Sequence, residues 1–180
     1  MKSLQNKTKL LILLSLVAGL SLQCEKKEEK DNTPLLALAA LTTSSGDCTV
    51  TAPPRASINT WQNVVTANGT ATISKIGSVP VVGHQTAALK LTAKIATTVA
   101  LSGNAFVIVY QSATCPLATS TRTGFTPTSL TDSNSEFTNS YTVSGTGTIT
   151  FTVAGDYHIF FYAIPSRGQA ASVTYTVAGL

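Results

Sequence analysis

Charge is what this chain has least of. Asp, Glu, Lys and Arg together make up 11% of it, and beyond residue 31 only Asp47, Asp132, Glu136 and Asp156 are acidic. A glycosidase needs two opposed carboxylates, and Glu136 with Asp132 is the only pairing the sequence offers near one position. Histidine is limited to His84 and His158, neither at ligand spacing to a cysteine, so no zinc site is expected. No G-x-S-x-G elbow marks a hydrolase nucleophile. Ser144-Gly145-Thr146-Gly147 is read as a strand connection with no helix to receive a phosphate. No window shows a convincing 3.6-residue period, which excludes a helical domain.

No apolar run reaches the roughly 20 residues needed to cross a bilayer as a helix. The longest, from Leu10 to Leu22, follows a segment holding Lys2, Lys7 and Lys9 and no acid. A basic head, a short apolar stretch and then Cys24 make a secretion signal. Immediately after come Glu25-Lys26-Lys27-Glu28-Glu29-Lys30-Asp31, which alternate in sign and read as a solvated tether. Three of the twelve basic residues lie in the leader, so the chain from Cys24 onward carries nine basic against eight acidic residues. No basic stripe survives that removal, and nucleic-acid binding is not expected.

With Leu20-Ser21-Leu22-Gln23-Cys24 at its boundary, the leader resembles bacterial lipoprotein precursors. The loose box, and the tether followed by Pro34-Leu35-Leu36-Ala37-Leu38, are similar to those of spirochaete, in particular leptospiral, surface lipoproteins. The resemblance implies cleavage before Cys24, a diacylglyceryl thioether on its sulfur, palmitate-type acyl chains, and outer-membrane anchoring on the surface or periplasmic side. Two or three chains hold a protein effectively permanently, where one gives only reversible binding. It further implies display of an interaction module, with host-component binding as one role. Plain cleavage near Ala18, leaving Cys24 a spare thiol, is the alternative.

If Cys24 carries lipid, Cys48 and Cys115 remain as an even pair in an oxidising compartment, and a bridge between them is expected. Two free buried thiols are the alternative. The expected organisation is a signal peptide over residues 1–23, a lipidated cysteine, tether and short apolar segment over 24–46, and a β-domain over 47–180.

Abundant Thr, Ser, Ala, Val and Gly suit pleated, half-buried strands. Leu89, Leu91, Ala93 and Ile95 alternate with Lys90, Thr92, Lys94 and Ala96, predicting one face in and one out. Phe106-Val107-Ile108-Val109-Tyr110 reads as a strand buried on both faces. Thr148 to Val153 and Tyr157 to Tyr162, joined through Ala154-Gly155-Asp156, predict a β-hairpin. Val173, Tyr175 and Val177 against Thr174 and Thr176 predict a last strand, and weaker strands are Thr49 to Ala52, Ile58 to Val65, Thr70 to Ile76 and Phe137 to Val143. About eight strands separated by turn signals predict an all-β sandwich. The Phe151-to-Tyr157 phrase resembles the C-terminal hairpin of jelly-roll carbohydrate-binding and pre-peptidase-type sandwiches, which implies a jelly-roll-like order and, as a second function, a tethered carbohydrate-binding module.

Candidate chemistry beyond Cys24 is sparse. Trp61, Phe125 and Tyr141 are candidate ligand platforms, because stacking needs exposed rings; core or edge filling is the alternative. Asp132, Asn134 and Glu136 place oxygens at alternate positions, weighed as a calcium loop against a solvated turn. His158 is expected on a solvated strand face and His84 in a loop. A hydrolase with an unrecognised site is the third function considered. Residues 112–135 are too long for a structureless loop and predict either a hidden strand or a functional loop tethered by Cys115.

Overall fold

The computed structural model describes residues 46–55, 57–79 and 82–180. The expected signal peptide, Cys24, the expected tether and the Leu35–Leu41 run lie outside the described residues.

Among the described residues twelve strands follow one another: β1 (Cys48–Val50), β2 (Ile58–Thr60), β3 (Gln62–Val65), β4 (Gly69–Thr72), β5 (Gly77–Val79), β6 (His84–Ala93), β7 (Thr98–Gln111), β8 (Phe125–Thr128), β9 (Thr131–Asp132), β10 (Ser140–Phe151), β11 (Gly155–Ala163) and β12 (Thr174–Ala178). The fold is all-β and sandwich-like. Ten strands share one mixed sheet whose spine runs β3-β6-β11-β7-β10-β8, while β1 and β2 form a separate two-stranded sheet, with β1 also bridging Leu117.

One side of β7 explains how a single sheet makes two layers. Residues 98–102 pair with β12 and residues 106–111 with β11, while β10 runs along the other side from 98 to 108. The change of neighbour falls at Gly103, opposite Gly145 in β10, both at positive φ. On either side of this pair the odd-numbered residues Val99, Leu101, Val107 and Val109 of β7 and Tyr141, Val143, Ile149 and Phe151 of β10 bury in one core. The sheet therefore folds over its own apolar face without turning that face outward.

Two short arches close the opposite end. Residues 94–97 lead from β6 into β7, and 152–154 lead from β10 into β11. Ala96 N donates to Phe151 O (2.8 Å) and Phe151 N to Thr97 O (2.9 Å), tying the arches together. This corrects the expected hairpin: β10 pairs with β7, β8 and β9, and β11 with β6 and β7, but not with each other. Alternation marks two strands and Gly155 marks a turn, yet neither encodes the hydrogen-bonded partner. The two strands instead meet through side chains across the core, with Phe151 and Tyr157 ring centroids 4.4 Å apart.

Other boundaries move for local reasons. The predicted Ile58-to-Val65 strand breaks at Trp61 into β2 and β3, and Ser144 to Gly147 lies inside β10 rather than between strands. Ile95, expected on the inner face, sits in the arch and is 70% exposed. The 112–135 stretch hides β8 and β9.

A second apolar cluster covers the outer face of β7 and β11. Phe106, Ile108, Tyr110, Phe160 and Tyr162 bury beneath Val50, Ile58, Leu117 and Phe137, which come from the β1–β2 pair and the connecting loops. Cys48 and Cys115 form a disulfide there, with Cα atoms 5.4 Å apart. The bridge staples the β1–β2 layer to the loop after β7.

Candidate functional site

The sequence candidates are scattered rather than gathered. Phe125 (6% exposed) and Tyr141 (8%) are core residues in an edge-to-face pair at 6.1 Å, so neither offers a free ring to a ligand. Arg122 closes over Tyr141, its guanidinium carbon 4.6 Å from the ring centroid. Trp61 is half-buried at the break between β2 and β3, where its carbonyl accepts from Ala88 N (2.9 Å). The three aromatics do not line a common surface. Alternation explains the correction: Phe125 and Tyr141 belong to the inward parity of strands whose outward parity is hydroxyl.

Asp132, Asn134 and Glu136 have oxygens engaged by their own loop and by Arg167 in the turn after β11. Asp132 pairs with Arg122 and accepts from Asn134 N; Asn134 Oδ1 accepts from Asn139 N; Glu136 pairs with Arg167 at 3.1 Å. The hydrogen bond from Arg122 holds the Asp132 carboxyl below its usual range. Among the described residues no cluster of His, Cys, Asp and Glu is arranged to hold a metal.

His158 is fully buried, not solvated, because β11 is a central strand with both faces covered. Its Nδ1 lies 3.0 Å from Ser112 O and its Nε2 3.0 Å from Gln62 Oε1. Both neighbours are oxygens that only accept, so Nδ1 carries the proton toward Ser112 O, and the neutral ring is satisfied at Nε2 with the Gln62 amide turned to present its NH2. Burial and Lys90 lower its pKa, against smaller opposing effects of the Ser112 bond and Asp156. Gln62 N in turn donates to Asp47 Oδ1 at 2.7 Å. The ring is a buried bolt between the start of the domain, β3 and the Cys115 loop. His84 opens β6, and its Nδ1 hydrogen-bonds the Tyr162 hydroxyl. Partial burial, Arg55 and Arg167 lower its pKa. Neither ring meets a serine and a carboxylate.

What the fold does assemble is a surface. Outward-facing positions of the β4-β12-β7-β10-β8 half fall into rows by register. One runs Thr72, Thr174, Ser102, Thr146; the next runs Thr70, Thr176, Ala100, Thr148, Thr128; a third runs Thr98, Thr150, Thr126. Adjacent strands stand about 4.8 Å apart. Thr70 and Thr176 hydroxyls are 2.8 Å apart, and those of Thr72 and Thr174 2.9 Å. Ala100, the small residue in the middle row, leaves a shallow trough of about 190 Å³ between the threonines, floored by backbone at Gly147. No Lys, Arg, Asp, Glu or aromatic side chain belongs to these rows. Each hydroxyl offers one donor and two acceptor sites, so the face can hydrogen-bond widely yet attracts no ion. Its signal was in the sequence, as alternating threonines in Thr148 to Thr152 and Thr174 to Thr176; missing was the knowledge that those strands share one half-sheet.

Comparison with known protein families, with curated proteins and with solved structures found no match to this chain.

Proposed function

We propose that this is a lipoprotein, anchored to the outer membrane by acyl chains on Cys24, whose β-domain acts without catalysis as a structural or interaction module. The leader, the cysteine and the charged tether support anchoring. The observation that carries the interaction reading is the uncharged, aromatic-free hydroxyl face. A face without cations suits neither nucleic acid nor direct adhesion to anionic lipid. That the two histidines are spent on Ser112, Gln62 and Tyr162 supports a non-enzymatic role. Host components are among the partners such a module would meet. The second reading, a tethered carbohydrate-binding module, draws on the trough at Ala100, whose lining by Ser102, Thr146, Thr148, Thr174 and Thr176 could meet sugar hydroxyls.

The test is fractionation of cells expressing the full chain and its Cys24→Ala variant. The wild type should partition with membranes and the variant should not. Equal membrane association of both would overturn the anchor. A glycan array run with detergent-extracted protein separates the two readings: binding lost in a Thr148→Trp variant would favour sugar, and absence of glycan binding would favour the interaction module.

A further inference from the structure

We infer that β4 pairs with the β4 of a second copy, antiparallel and edge to edge. Among the described residues strand β4 is the outermost strand of the hydroxyl half, its four residues Gly69, Thr70, Ala71 and Thr72 are all exposed, and it pairs on one side only, with β12. Register shows which backbone groups are open. Ile73 N donates to Val173 O at 3.0 Å, so Ile73 points inward; in a ladder successive residues alternate, and Ala71 points inward as well. Thr70 and Thr72 therefore direct N–H and C=O toward the open side. The next outward group along the chain, Ser74 N, is already capped by Asn63 Oδ1 at 3.2 Å. The opposite edge of the same half, β8, pairs through Pro127 and lacks a donor there. An edge without proline, charge or cover is a template for another strand.

A second copy is the occupant this edge fits. With Ala71 on a twofold axis, Thr70 of each copy faces Thr72 of the other, and both outward pairs of N–H and C=O are satisfied reciprocally, as an isologous interface requires. Like charges opposite each other would oppose such pairing, and the four residues carry none. The hydroxyl rows would continue across the joint. So short an edge makes a weak contact, which holding copies on one membrane would strengthen through effective concentration. The inference goes beyond the anchoring proposal, since the edge exists whether or not Cys24 carries lipid.

The experiment uses full-length protein extracted in detergent, examined by sedimentation over a concentration series and by thiol crosslinking. Wild type should show a concentration-dependent dimer. Thr72→Pro removes an outward N–H without touching the β4–β12 ladder, so dimerisation should weaken at least tenfold while the circular dichroism spectrum and melting temperature hold. If that variant misfolds, Thr70→Lys serves the same purpose. Ala71→Cys should crosslink to its own copy and Thr126→Cys, on β8, should not. A wild type monomeric throughout, a dimer undiminished by both edge variants, or crosslinking through Thr126→Cys would overturn the inference. So would a monomer that instead captures a β4-sequence peptide without ever pairing with itself.

Discussion

Gly103 and Gly145 face each other across β7 and β10, and the sheet changes layers at that pair. Both have positive φ, +155° and +89°. A Cβ on Gly103 would sit 3.2 Å from Val173 Cγ2, whereas one on Gly145 would meet open space. Gly145→Ala therefore carries backbone strain alone, and Gly103→Val adds a clash with the core. Strain of this kind costs about 1–3 kcal/mol per site. Urea denaturation should show both variants destabilised, Gly103→Val the more; equal wild-type stability would mean the crossing does not depend on glycine.

Burial of His158 makes stability pH-dependent. Its folded pKa lies below the ordinary 6.5, with Lys90 lowering it and Asp156 and the Ser112 carbonyl opposing. The unfolded chain thus binds the proton more readily, so this contribution is fully present above about pH 6.5. It is lost as pH falls through the folded value. His84, also lowered, acts in the same direction but is only partly buried. Denaturation midpoints of His158→Gln should vary less between pH 7 and pH 5 than those of wild type.

Reduction of the Cys48–Cys115 bridge, which closes a separation of 67 residues, should cost about 4 kcal/mol on the chain-entropy account. Chemical denaturation with and without dithiothreitol measures it. A double Cys48→Ala, Cys115→Ala variant should be insensitive to the reductant and match the reduced wild type.

Asn63 closes the seam between β3 and the segment leading from β4 to β5. Its Oδ1 accepts from Ser74 N and Lys75 N, and its Nδ2 donates to Lys75 O and Ala88 O. Asn63→Ala strands several of these groups and should cost about 2–4 kcal/mol. Hydrogen exchange at Ser74 and Lys75 should rise before that of the β7 core; unchanged exchange would show the side chain to be dispensable.

Strand identity was legible wherever burial imposed a period. Leu89, Leu91 and Ala93 went in as alternation required, and Phe106 to Tyr110 lie buried on both faces. Partner choice was not legible. Thr148 to Val153 and Tyr157 to Tyr162 look like a hairpin because a turn glycine separates them, but adjacency in sequence does not say whether two strands hydrogen-bond or face each other across a core. For Phe125 and Tyr141 the sequence leaves a ligand platform and core filling open, and strand parity places both inside. His158 was misplaced because alternation assumes one wet face, and β11 has none. The hydroxyl face could be foreseen strand by strand, though not as a surface, because its rows join residues as distant as Thr72 and Thr174.

The central claim is the anchor, and the intact mass of the full-length gene product extracted from membranes tests it most directly. The account predicts a polypeptide beginning at Cys24 and heavier than its sequence by a diacylglyceryl group, with or without a further acyl chain. An unmodified mass, or a first residue other than Cys24, would contradict it.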